Sequence, residues 1–303
     1  MLQAIVQVLF PLMALIVLGY GLKQSNWLEL SFWQGAEKLN YYLLFPIMLF
    51  LNLATAEIQI NIIYDVLLVV GFITMVCSVV LYGLKAAYTI PIRRFGVYTQ
   101  SLLRFNTYIG IALISSLFHQ AGMIIFAVIM VFFIPLVNII SVVSLTDTQH
   151  LNLKQIILNV VKNPLIVGCV VGGLFNLSGF ILWDAVNALF KLVAACSLPL
   201  GLMCVGAALH FQGMSKDSWQ LGWATFARLC LMPLLAYVVC RYFNLDLLMT
   251  QVLVVFFALP TASASYILTK VYGGDSELMA KVISFQMLCA AITIPIILSL
   301  LMA

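Results

Sequence analysis

"RFNTYIGIALISS", Arg104 to Ser116, is the stretch on which the reading of this chain turns. It lies inside an apolar run from Phe95 to Phe118 that is long enough to cross a bilayer, yet Arg104, Asn106, Thr107 and Gly110 fall near its middle. A charge at that depth costs roughly 3 kcal/mol or more and usually marks function. The surrounding composition confirms the solvent: of 303 residues 64% are hydrophobic and 8% charged, against roughly 25% charged in a soluble domain. Apolar runs of about 20 residues match a hydrocarbon core of about 30 Å.

Working outward, the sequence predicts an all-α integral membrane fold with ten transmembrane helices, near 4–22, 35–54, 64–85, 95–118, 122–145, 157–178, 185–209, 218–242, 246–270 and 279–301. The loops are short, and the longest polar connection is central. This divides the chain into a first five-helix repeat at 1–145, a cytoplasmic loop at 146–156 and a second repeat at 157–303. The N-terminal run lacks the basic region and cleavage site of a secretory signal and is expected to be retained. Loops after odd-numbered spans hold or border Lys23, Lys38, Lys85, Arg93, Arg94, Lys154, Lys162, Lys216, Lys270 and Lys281, whereas Arg241 and Lys191 fall opposite. The positive-inside rule then makes the first set cytoplasmic and both termini external.

A duplication is visible in the residues that are rare in such a background. Pro11 and Pro164, Gly19 and Gly172, Ser25 and Ser178, Pro46 and Pro199, and Ala54 and Ala207 are each separated by 153 residues. Thr99 and Gln100 recur as Thr250 and Gln251, at an interval of 151. Five spans per copy is an odd number, so the copies must enter the membrane from opposite sides. An inverted repeat of this kind creates a site near the midplane in secondary transporters.

The same alignment sets Ile109 and Gly110 opposite Pro260 and Thr261 of "FFALPTASASYILTKVYGGD". Proline removes a backbone donor and glycine frees the backbone, so the fourth and ninth helices are expected to be broken at one depth and to cross there. Broken helices present both amide and carbonyl ends. Arg104 tips such a site toward anions, because a guanidinium grips a carboxylate through two parallel hydrogen bonds. Asn106, Thr107, Tyr108, Gly110, Pro260, Thr261, Ser263 and Ser265 complete the candidate substrate-binding set. Arg104 also admits a plainer role, as partner to backbone carbonyls at the crossing, and Ser263 and Ser265 admit simple helix packing. Pro46 and Pro199 read as hinges or kinks. Arg228 is a second deep charge without a repeat partner and ranks below Arg104, while Gln286 reads as an interhelical hydrogen bonder.

"RFNTYIG", "NPLIVG" at Asn163–Gly168 and "LPTASASYILTKVYGGDSELMAKVIS" at Leu259–Ser284 resemble the bacterial members of the auxin efflux carrier family, and the likeness runs from the first span to the last. The resemblance implies two inverted five-helix repeats with crossed, broken fourth and ninth spans, as in bile-acid symporters and sodium/proton antiporters. It implies transport of organic anions, with malonate, malate and auxin-like carboxylates among the family's substrates. It also implies residence in a bacterial inner membrane. The chain departs from plant members in reading Ile109-Gly110-Ile111-Ala112, without proline, at the fourth-span break, and in lacking their long cytoplasmic loop. The ninth span has no acidic residue, unlike the cation sites of the bile-acid and antiporter relatives.

The function expected is therefore a secondary transporter of small mono- or dicarboxylates working by alternating access, with a channel or ligand sensor on the same fold as the alternative. An enzyme is not expected, since HExxH, GxSxG and an intramembrane acidic pair do not occur. The acidic residues fall in or near loops, which leaves no carboxylate placed for a midplane proton relay. Seven cysteines lie in apolar runs without metal-ligand spacing, and His119, His150 and His210 form no cluster, so neither metal nor cofactor is expected. The expected partners are the anion and the lipid bilayer, with a homodimer admitted and nucleic acid excluded.

Overall fold

The computed structural model describes residues 2–55, 60–145, 158, 162–209, 211 and 217–301. The expected central loop at 146–156, with Lys154 and His150, lies outside them, as do His210 and Lys216. The described chain is all helical, and the helices are α1 (Leu2–Gln24), α2 (Leu30–Leu39), α3 (Phe45–Ala54), α4 (Ile60–Tyr88), α5 (Ile92–Leu103), α6 (Thr107–Leu145), α7 (Pro164–Leu177), α8 (Asp184–Ala207), α9 (Ser218–Phe226), α10 (Met232–Tyr242), α11 (Leu247–Ala258), α12 (Ala264–Val271) and α13 (Ser276–Leu301). Among the described residues five segments are long and apolar enough to cross a membrane, and shorter apolar helices cover 9–24, 164–177 and 247–258.

Local chemistry sets the boundaries. The Asn163 side chain caps α7 by accepting from Leu165 N at 3.0 Å, with Pro164 at the position that needs no donor. Asp246 caps α11 in the same way, through Met249 N at 2.8 Å. Left-handed residues at Asn26, Thr89, His119, Gly179, Asn244 and Gly273 turn the chain between helices. His119 divides α6 into two helices at the junction expected between the fourth and fifth spans.

Two π turns carry the proline effect. One at Asn40–Leu44 joins α2 to α3, and the other at Ala227–Leu231 joins α9 to α10. Each ends two residues before a proline, Pro46 or Pro233, whose ring crowds the carbonyl four residues back, at Tyr42 or Leu229. Widening the helix there relieves the clash. Pro199, by contrast, sits inside an uninterrupted α8.

The helices form two packed groups. In the smaller one α1 lies on α8 and α3 on α7, at distances set by glycine. A Cβ on Gly19 would fall on the Met203 carbonyl, and one on Gly206 on the Ile16 carbonyl. The larger group holds α4, α5 and α9 to α13, with α6 packed on both. Phe105, Phe126, Phe133, Phe256 and Phe257 fill its centre with edge-to-face pairs at 4.7 to 6.5 Å. One end of this group is pinned by charge: Lys281 is 4% exposed between Asp217 at 2.9 Å and Glu277 at 2.7 Å, and Arg94 meets Asp275 at 3.4 Å. The outward faces of both groups carry exposed apolar side chains such as Phe10, Val79, Leu174 and Leu234, as a lipid solvent requires.

Candidate functional site

Two helices end abruptly inside the larger group and restart at an offset. α5 stops at Leu103, Arg104 to Asn106 are non-helical, and α6 begins at Thr107. α11 stops at Ala258, and α12 begins only at Ala264. The interruptions touch, because Asn106 N donates to the Pro260 carbonyl at 2.8 Å. The first break thus falls at Arg104 itself and not at Gly110, as the sequence reading had placed it. Gly110 is helical, with its N–H on the Asn106 carbonyl at 3.0 Å. Its lack of a side chain serves packing, since a Cβ would meet Phe126 at 2.5 Å and Leu259 at 2.8 Å. Asn106 supplies the reason for the restart: its side-chain oxygen accepts from Ile109 N at 3.2 Å and so caps α6.

Unwound backbone at this depth must find partners, and they come from two residues outside the breaks. Arg228, projecting from the π turn between α9 and α10, is fully buried, donating Nε to the Leu259 carbonyl at 2.7 Å and Nη1 to the Leu102 carbonyl at 2.6 Å. Gln286 of α13 accepts from Thr261 N at 2.9 Å, with the Thr261 hydroxyl 2.6 Å away. Its amide donates to the Ser101 carbonyl at 3.3 Å and the Ala224 carbonyl at 3.2 Å. One cation and one amide therefore hold both breaks. The role of carbonyl partner, left open for Arg104, is filled by Arg228.

Arg104 is turned elsewhere. Its Nη1 is buried without a hydrogen-bond partner, and the side chain lines a cavity of about 430 Å³ with Tyr41, Thr107, Asn138, Asn163 and Tyr272. A second cavity of about 440 Å³ is lined by Gln34, Glu37, Lys38, Tyr42, Asn106, Tyr108 and Ser263. Tyr41, Thr107, Leu165, Ala262, Ala264 and Ile267 belong to both walls, which makes the two spaces neighbouring lobes between the groups of helices. Asn106 adds an unpartnered side-chain amide, and Tyr108 is held by stacking on Phe45 at 4.8 Å. The lobes reach the exposed Gln34 and Lys38 at one end of the bundle.

Of the candidate residues, then, Arg104, Asn106, Thr107, Tyr108 and Ser263 come together around this space. Thr261 is 0% exposed and faces Ser101 and Gln286, so it fastens the break. Ser265 is likewise buried, its hydroxyl unpartnered. Tyr41, Asn138, Asn163 and Tyr272 were missed, because they come from separate parts of the chain. Glu37 lines the cavity although its sequence position placed it beside a loop, because α2 starts at Leu30 and carries it inward.

On the far side of Arg104 the groups close over apolar contacts. Leu9, Leu12 and Met13 of α1 meet Ile109 and Leu113 of α6 and Ala290 and Ile294 of α13 around a space of only about 30 Å³.

A many-helix membrane protein whose interrupted helices meet beside a polar cavity has the form of a solute carrier. The protein-family comparison agrees: residues 4–298 match the family described as "Membrane transport protein". The chain belongs to that family, the auxin efflux carriers, and is a multi-pass membrane transport protein. A search of curated proteins finds no match.

Proposed function

We propose that this protein is a secondary transporter of small organic anions, mono- or dicarboxylates, which bind at Arg104 in the two-lobed cavity and cross by alternating access. One observation carries the reading: Arg104 lines a cavity and keeps a buried guanidinium donor without a hydrogen-bond partner, while the carbonyls of Leu102 and Leu259 at the breaks are taken by Arg228. Asn106, Thr107, Tyr108 and Ser263 add neutral donors around the same space. A carboxylate satisfies a free guanidinium edge better than a neutral solute does.

Inverted repetition is part of the proposal, and related contacts support it. Gly19 against Met203 and Gly172 against Phe50 are the same pair of positions exchanged between halves. The left-handed turns at Asn26 and Gly179, Thr89 and Asn244, and His119 and Gly273 fall at corresponding places. Thr99 and Thr250 bond the carbonyls of Phe95 and Asp246, four residues back in each half. Two related halves can exchange the open and the closed end. The apolar closure beyond Arg104 supports a carrier over an open pore.

The open end carries Lys38 and lies with the other basic loop residues, so we assign it to the cytoplasm of a bacterial cell, with the protein in the inner membrane and its termini outside. Counterflow in reconstituted vesicles tests the proposal: unlabelled malonate or benzoate inside should accelerate entry of the labelled anion. Arg104→Ala should weaken half-saturation by roughly 10- to 100-fold, the worth of a charged hydrogen bond, with Arg104→Lys intermediate. Wild-type counterflow preserved at normal affinity in Arg104→Ala would remove this residue from the site.

A further inference from the structure

The carboxylate of Glu37 stands with Asn106, Thr107 and Tyr108 in the wall of the lobe that adjoins the one lined by Arg104; it is partly buried, and among the described residues it forms no ion pair. The ionisable groups around it are few. Its own helix and the π turn contribute Lys38, Tyr41 and Tyr42, α6 contributes Tyr108, and α8 contributes Cys204. Nothing titratable comes from α7 or from the segment leading into α12, which present Leu165, Ala262, Ser263 and Ala264. Lys38 is exposed at the mouth, where water screens it.

We infer that Glu37 is the proton-carrying group of this transporter: an anion can occupy the cavity only when the carboxylate beside it is protonated, so anion and proton enter and leave together. The inference rests on the anion site proposed above. Two negative charges in adjoining lobes that share a weakly polar wall oppose each other, and the group that can hold a proton holds it. The positive charge of Arg104 offsets one of them and leaves the other unmatched. When the cavity is empty, Glu37 ionises and gives its proton to water at the mouth. When a monocarboxylate binds at Arg104, Glu37 takes a proton back, and the loaded site is neutral. A neutral site reorients without work against the membrane potential.

The test counts protons. Purified protein is titrated with malonate, and separately with benzoate, by calorimetry at about pH 7.5 in two buffers of different ionisation enthalpy, which reports protons taken up per anion bound. Wild type is expected to take up a large fraction of one proton per anion, and its affinity to fall toward tenfold per pH unit as Glu37 ionises. Glu37→Gln is expected to take up none and to bind at least as tightly, with affinity nearly independent of pH. Unchanged proton uptake in Glu37→Gln overturns the inference, as does loss of binding in a variant with an unchanged melting temperature. Should Glu37→Gln not fold, Glu37→Asp decides: the shorter acid should move the pH of half-maximal uptake, and an unmoved profile overturns the assignment. The underlying site is judged separately by Arg104→Ala, which should weaken binding by roughly 10- to 100-fold. A wild type that binds neither malonate nor benzoate overturns that reading and this one together.

Discussion

Two deep arginines look alike in the sequence and differ in what surrounds them. Arg228 has its fork on two carbonyls from different helices, whereas Arg104 has an unused donor and a cavity. Sequence spacing exposed the charge of both but could not pair them, because the carbonyls of Leu102 and Leu259 lie 126 and 31 residues from Arg228. Of the two, Arg104 is the one that lines the cavity. The carbonyl-satisfying role belonged to the other arginine. Replacing Arg228 with Met should orphan both carbonyls at a cost of about 1–3 kcal/mol each, seen as a lower melting temperature in detergent and as loss of all counterflow. Gln286→Leu should act likewise but more weakly, since no charge is removed. Neither change should be selective for anion identity, which separates them from Arg104→Lys.

At the level of helices, the existence of both breaks was legible and the position of the first was not. Pro260 announces the second break, because its missing N–H ends α11. The first has no proline, and a glycine was taken as its centre. What interrupts the chain is Asn106, whose side chain competes for the amide of Ile109 and starts a new helix. That competition is invisible in a window dominated by apolar residues. Asn106→Ala should remove the cap at a cost of about 1 kcal/mol, with amide exchange accelerated in the first turn of α6. The glycines of the smaller group were read as markers of duplication, and their use is steric. Gly206→Val should force α1 and α8 apart and destabilise the protein by about 1–3 kcal/mol, whereas the same change at Gly173, where a Cβ meets nothing, should be nearly neutral.

In the whole molecule, the lobes open toward one end and Leu12, Ile109 and Ile294 close the other. If the two groups of helices move against each other, fastening the closed end should stop the cycle without emptying the site. In a background lacking the native cysteines, a disulfide between Leu12→Cys and Ala291→Cys should abolish counterflow while malonate still protects the cavity residue Thr107→Cys from a water-soluble thiol reagent. Transport that continued in the oxidised protein would mean that the closure does not open. Which end is shut could not be read from the residues alone, because the closure consists of ordinary leucines, isoleucines and alanines.

The apolar lining of that closure has an electrical consequence. A wetted cavity conducts, so most of the transmembrane voltage must drop across the short apolar stretch beyond Arg104 and little of it between Arg104 and the open mouth. A solute arriving from the open side therefore meets almost none of the field. Its occupancy should be nearly indifferent to voltage.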